Sequence, residues 1–298
     1  MKIVCIGHST YDITLPVDKF PEENKKLRVK ERIECGGGPA SNAACLLAKW
    51  GMDTSIVSII GNDYYGSLIK DDYIKLGINI DNLEVRDNRT TSSSYIIANK
   101  ETGTRTIITY KEPPIRKLSK EVNIEADVIL IDGEHPETAL EVLENNPNAI
   151  SVLDAGRVSD DTKKLGKLVK YCICSKDFAE EFTNKNIDIN DKENLINIHK
   201  ELEEYFNNTV VITLEDKGSF TKIDNEYVII PSIKVKALDS TGAGDIYHGA
   251  FTYFIANNYS LKDALRLSNI TGAISVTRIG SRNSIPTLNE VIDYDTII

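Results

Sequence analysis

Met1-Lys2-Ile3-Val4-Cys5-Ile6-Gly7 opens the chain with a short apolar run that stops at a glycine. Consecutive apolar residues, several of them β-branched, suit a strand buried on both faces, and the run is too short for a signal peptide or a membrane span. The same signature recurs at 54–60, 128–131, 151–153, 171–174 and 210–214. Helical spacing of apolar residues fills the intervals, at 40–49, 65–76, 136–143, 161–169, 192–205, 245–256 and 261–277. Strand alternating with helix over most of the length predicts an α/β fold: a doubly wound, mainly parallel sheet flanked by helices.

Two regions interrupt that alternation. Residues 11–34 and 88–110 carry runs at 12–17, 28–33, 93–98 and 105–110 in which polar and apolar residues alternate. That period of two predicts a small sheet with one wet face, standing off the main layer as a lid. No internal repeat, low-complexity tract or linker is present, so the expectation is one domain over 1–298 with the lid as an excursion from it.

Composition narrows the partners. The 45 acidic residues outnumber the 35 basic ones, and the net charge of -10 opposes a nucleic-acid backbone. A nucleotide is still admissible, because backbone amides can hold a phosphate locally. Cys5, Cys35, Cys45, Cys172 and Cys174 are odd in number and lack zinc-site spacing, as expected for reduced thiols in a cytoplasmic protein. Cys172 and Cys174 would share one face of a strand and pack as small hydrophobes.

The chemistry is concentrated in Asp239-Ser240-Thr241-Gly242-Ala243-Gly244-Asp245, directly before the helical run 246–256. Small residues at a helix start leave unpaired amides facing open space, and the helix dipole adds positive potential there. An acidic residue in a first turn often does no more than complement the dipole. That does not account for two glycines and an alanine, whereas close approach of a phosphate does. A second glycine run enters a helix at Gly36-Gly37-Gly38-Pro39-Ala40-Ser41-Asn42-Ala43-Ala44. No Gly-x4-Gly-Lys-[Ser/Thr] loop and no protein-kinase motif set occurs.

These two stretches, with Gly51 and Gly61 between them, resemble the signatures of the ribokinase family, also called the PfkB carbohydrate kinases, over nearly the whole chain. Gly103-Thr104-Arg105-Thr106-Ile107-Ile108 and Ser175-Lys176-Asp177 look like ketohexokinase. Thr277-Arg278-Ile279-Gly280-Ser281-Arg282 and the triple glycine look like the sulfofructose kinases. The resemblance implies an ATP-dependent sugar kinase using magnesium and a monovalent cation such as potassium. It implies sugar contacts from Asp12, Gly37, Gly38 and Asn42, with Glu134 and Arg105 near the same pocket. By the same resemblance Asp245 is the base, and Gly242, Ala243 and Gly244 cradle the phosphate. Nucleotide contacts fall at Ser175 and around Thr213 and Gly218, with 267–273 alongside. The cation site comprises Asp239, Thr241, Ser275, Arg278 and Gly280, with Ser284 nearby. Lids of the family often pair between subunits, which implies a homodimer.

The chain departs from the family in two places. The Asn-x-x-Glu motif linked to magnesium is absent at Ser175-Lys176-Asp177-Phe178. Sulfofructose kinases carry arginine at the position of Glu134 and asparagine at that of Thr109. A carboxylate there repels a sulfonate, so a neutral ketohexose or pentose is the expected acceptor, although Lys26 keeps a basic residue at the lid entrance. A nucleoside kinase of the same fold and a non-catalytic sugar sensor are the alternatives. His135 and His248 are expected to be packing or solvated residues without a catalytic role.

Overall fold

The computed structural model describes residues 1–297, one short of the range expected for the domain. In chain order the strands are β1 (Lys2–Ile6), β2 (Thr10–Val17), β3 (Ile33–Gly37), β4 (Asp53–Gly61), β5 (Asn79–Arg86), β6 (Ser93–Asn99), β7 (Arg105–Tyr110), β8 (Val128–Ile131), β9 (Ile150–Ala155), β10 (Tyr171–Ser175), β11 (Thr209–Thr213), β12 (Ser219–Ile223) and β13 (Glu226–Ile230). The helices are α1 (Pro39–Lys49), α2 (Tyr64–Lys75), α3 (Pro136–Asn145), α4 (Asp160–Gly166), α5 (Lys176–Thr183), α6 (Lys192–Phe206), α7 (Ala243–Ala256), α8 (Leu261–Ser275) and α9 (Leu288–Ile297).

The apolar runs form a nine-stranded sheet in the order β13-β12-β11-β10-β9-β8-β1-β4-β5. It is parallel from β5 to β11, and β12 and β13 complete it as an antiparallel hairpin. Strand alternation splits the core in two. Ile3 and Cys5 join the apolar residues of α1, α7 and α8, while Val4 and Ile6 join those of α3 to α6. Cys172 and Cys174 enter the second core together, and all five cysteines are free and buried. Chain order reverses beside β1: β4 and β5 lie on one side, β8 and its successors on the other. The carboxyl ends of β1 and β8 therefore flank the crevice where such sheets bind ligands.

The second sheet has the order β3-β2-β6-β7. Cross-strand pairing puts Asp12, Ser94 and Thr109 on one face and Ile13, Tyr95 and Ile108 on the other. The two faces thus differ in chemistry, one polar and one apolar.

Several elements differ from the sequence reading. The run expected at 28–33 is not a strand: residues 18–32 are exposed and mostly charged, so they have no apolar face to bury. The strand starts at Ile33 and continues through Gly36 and Gly37, so those glycines sit in a sheet rather than a loop. β5, the β12–β13 hairpin, α5 and α9 were not anticipated. The hairpin turns on Asp224 and Asn225, both with positive φ (49° and 67°), the conformation of a tight two-residue turn. The helices expected to reach 169 and 277 stop at Gly166 and Ser275.

Candidate active site

Gly242 caps α7 with φ 75°, a left-handed conformation that costs a residue with a Cβ about 1 kcal/mol or more. The turn redirects the chain so that the first amides of a fourteen-residue helix face outward. The Ala243 amide bonds the Ser240 carbonyl at 3.3 Å, whereas those of Gly242 and Gly244 have no acceptor among the described residues. Gly244 is exposed, and a Cβ there would meet nothing. Unpaired donors at the positive end of a helix dipole make an anion site.

Asp245 occupies the first turn of that helix. It is placed by a close crossing of α1 and α7, where a Cβ on Gly249 would stand 3.0 Å from the Ala43 Cα. One turn away, Asn42 Nδ2 donates to Asp245 Oδ2 at 2.7 Å. Burial raises the Asp245 carboxyl above the ordinary range, and the Asn42 hydrogen bond works against that shift. Asn42 Oδ1 is buried without a partner among the described residues, as is Thr10 Oγ1. A buried acceptor left bare costs about 1–3 kcal/mol, a penalty that a hydroxylated ligand would remove.

The opposite wall is built around the crevice. Asp12 on β2 is buried, and burial pushes its carboxyl up to about 6. A Cβ on Gly37 would overlap that carboxylate, and one on Gly38 (φ 99°) would strike the His8 carbonyl. The glycine run therefore lets α1 start against the end of β1. Asp132, following β8, accepts from the amides of His8 (2.8 Å), Ala40 (3.1 Å) and Glu134 (3.0 Å). Burial raises its carboxyl to about 7 against the pull of those three donors. Glu134 is tied to Lys111, just past β7, by an ion pair that joins the small sheet to the main one.

The remaining expected residues fall in three places. Arg105, first in β7, donates to Ser240 Oγ at 2.5 Å, which puts its guanidinium beside the anion cradle. Ser175 and Thr213 are paired neighbours at the ends of β10 and β11, where Ser175 also caps α5 by accepting from the Phe178 amide at 3.1 Å. Gly218 (φ 100°) closes the turn after β11, its carbonyl accepting from the Leu214 amide at 2.7 Å. Asp239 accepts from the Thr241 amide and hydroxyl through Oδ1 (2.9 and 2.6 Å) and from the Gly280 amide through Oδ2 (2.9 Å). It thereby draws the cradle loop against the end of α8 and the segment after it, which carry Ser275, Arg278, Gly280 and Ser284. The Arg278 side chain points away to Glu290, leaving only its main chain available to a cation. Asp239 is a buried carboxylate beside the Thr241 hydroxyl, oxygen ligands of the kind hard cations accept.

Five further residues take part to which the sequence gives no role. Asp132 and Asp154 lie at or just past the carboxyl ends of parallel strands, a position that could have flagged both. His248, expected to be a packing or solvated residue, has its Nδ1 2.6 Å from the Gly244 carbonyl and 3.2 Å from Asp154 Oδ2. A carbonyl only accepts, so Nδ1 carries the proton and braces the first turn of α7. Nothing local points to the roles of Lys111 and Ser281, which come from contacts across 23 and 269 residues. A cavity of about 600 Å³, lined by residues of 16–31 and Lys100, contains none of these groups.

Comparison with known proteins shows the family and the fold. The sequence profile described as pfkB family carbohydrate kinase matches residues 1–288. A nucleoside kinase of Methanocaldococcus jannaschii is 26% identical over 98% of this chain and 96% of its own length. A solved ribokinase of Thermotoga maritima superposes with a TM-score of 0.80 at 28% identity, covering 99% of each chain. The fold is shared with an Arabidopsis thaliana ribokinase complexed with ribose and ATP, at a TM-score of 0.79 and 19% identity over 98% of this chain and 97% of that one.

Proposed function

The chain belongs to the pfkB family of carbohydrate kinases, acting on a sugar or a nucleoside, and from that premise we propose that it transfers the γ-phosphate of ATP to a primary hydroxyl of a small neutral pentose such as ribose. The supporting observation is the Asn42–Asp245 hydrogen bond, which puts a desolvated carboxylate between open amides and bare sugar-binding atoms. The names of the relatives favour a pentose over a ketohexose.

In this reading Asp12, Asn42 and the main chain at Gly37 and Gly38 hold the sugar, with Glu134 at its edge. Asp245 accepts the hydroxyl proton as the oxygen attacks, and the raised basicity of a desolvated carboxylate favours that transfer. The amides of Gly242 and Gly244 receive charge on the transferring phosphoryl group, and Arg105 adds a cation from the small sheet. The adenosine end lies along Thr213, Gly218 and the neighbouring Ser175. Among the described residues no group of three or more His, Cys, Asp or Glu forms a metal cage, which fits magnesium arriving on the nucleotide phosphates with water ligands. When bound, magnesium neutralises phosphate charge, and potassium at the Asp239 loop fixes the cradle amides.

The small sheet acts as a lid over a single kinase domain. Its outer face exposes Tyr95 (45%) and Ile108 (60%), which supports pairing with a second copy, testable by light scattering. Five buried free thiols support a cytoplasmic setting. Among the described residues no helix is long and apolar enough to cross a membrane.

Nucleoside phosphorylation is the second reading, favoured by the archaeal relative. Tyr11 and Tyr95 lie on the sheet face opposite Asp12, so neither supplies a slot for a base beside the sugar. A coupled ADP-release assay over pentoses, ketohexoses, phosphosugars and nucleosides decides between them. Turnover with none would leave the sensor reading.

A further inference from the structure

Ser281 is fully buried where the two halves of the site meet. On one side it packs against the cradle: a Cβ on Gly242 would lie 2.8 Å from the Ser281 Cβ and 3.2 Å from its Cα. Its neighbour Gly280 is fastened to Asp239, which also holds Thr241. On the other side the Ser281 hydroxyl is 2.9 Å from Asp12 Oδ2 and 3.3 Å from the Gly36 carbonyl. One hydroxyl proton cannot serve both acceptors fully, and the nearer carboxylate makes the stronger, charge-assisted bond. The Cys35 thiol, 3.5 Å away, offers the hydroxyl oxygen a weak donor in return.

The turn has little freedom to slip. Arg282 is buried, donates to Asp72 Oδ2 at 3.2 Å and to Ser41, and sits 5.1 Å over the Tyr73 ring. Tyr73 continues the network through Ser41 (2.5 Å) and Ser9 (2.7 Å). With the next residue pinned on α1 and α2, a shift of Gly242 is passed to Asp12 rather than absorbed.

We propose that Ser281 is a positioning residue that couples the phosphate cradle to the sugar-binding carboxylate, so that filling either side orders the other. This rests on the kinase reading above. No charge or bond is exchanged through it: the hydroxyl transmits position alone.

The test compares wild type with Ser281→Ala, which keeps the Cβ against Gly242 and removes only the hydroxyl. Calorimetry measures the Kd of magnesium adenylyl imidodiphosphate with and without saturating D-ribose, or whichever acceptor the panel identifies. Wild type should bind the nucleotide about fivefold or more tighter in the presence of sugar, and Ser281→Ala should bring that ratio to within about twofold of unity. Ser281→Cys, which restores a weak donor, should recover part of it. In parallel, hydrogen exchange over β2 and β3 should slow on adding the nucleotide alone in wild type, and should not in Ser281→Ala. An unchanged sugar–nucleotide ratio and unchanged protection in a folded Ser281→Ala protein would overturn the proposal. If no acceptor in the panel is phosphorylated, the kinase reading fails, and the exchange measurement, which needs only nucleotide, still decides the coupling.

Discussion

Asp245→Asn separates chemistry from architecture because the substitution is nearly isosteric and its hydrogen bond survives. Asn42 Nδ2 donates to Asp245 Oδ2 at 2.7 Å, and the substituted amide can present its carbonyl oxygen to the same donor. Sugar and nucleotide affinity should therefore stay within about threefold of wild type. The proton acceptor is gone, and general-base catalysis is worth about 10²- to 10⁴-fold, or roughly 2.7–5.5 kcal/mol on the barrier. Stability should move the other way. Burial raises the Asp245 carboxyl above its unfolded value, so the protonated form is favoured in the fold. The stability tied to that proton is present at low pH and is lost as pH rises through the raised value. At neutral pH the ionised group is a burden on the fold, and a neutral amide relieves it. The helix dipole opposes this by about 0.3–1 kcal/mol through loss of a first-turn anion. The expected outcome is a melting temperature at or above wild type, with kcat down at least a hundredfold in a pyruvate kinase-coupled assay. A kcat within tenfold of wild type, or a melting temperature lowered by several degrees, would show that the carboxylate serves packing rather than catalysis.

Gly37→Ala places a methyl on the Asp12 carboxylate and should raise the sugar KM about tenfold or more while changing the ATP KM little. Gly249→Ala wedges α1 from α7 beside Ala43 and should lower kcat and melting temperature together, by about 1–3 kcal/mol in stability. With the Asp12 carboxyl at about 6 and only its ionised form able to accept sugar hydroxyls, kcat/KM for the sugar should fall as pH drops below 6 and level off above it; a flat profile from pH 5 to 8 would exclude Asp12. Asp239→Ala leaves three donors without their buried acceptor and should cost about 3 kcal/mol or more by chemical denaturation, with loss of any stimulation by potassium.

The parallel core was legible because its strands are continuous apolar runs, and the cradle because Gly242-Ala243-Gly244 precedes a strongly apolar helix. The outer strands were not. β5 and β13 are edge strands with a half-wet pattern, and the turn Asp224-Asn225 is short enough to pass unnoticed inside a polar stretch. The alternation of polar and apolar residues at 28–33 predicts a strand, whereas 28–32 are exposed in the fold. At the site, motif residues were found where their own local chain geometry matters, as at Gly37 and Gly242. Ser281, Lys111 and the Asp154–His248 contact depend on which distant segments meet, and no local pattern encodes that.

Gly36 shares its space with a residue far along the chain. The space a side chain there would need is filled by the Arg282 guanidinium, from 246 residues further along the chain. The two positions are thus coupled: a side chain at 36 fits either where the Arg282 guanidinium gives up its place or where residue 282 is shorter. A library that varies position 36 alone would report it as intolerant, whereas one that varies both would find routes that neither single change opens.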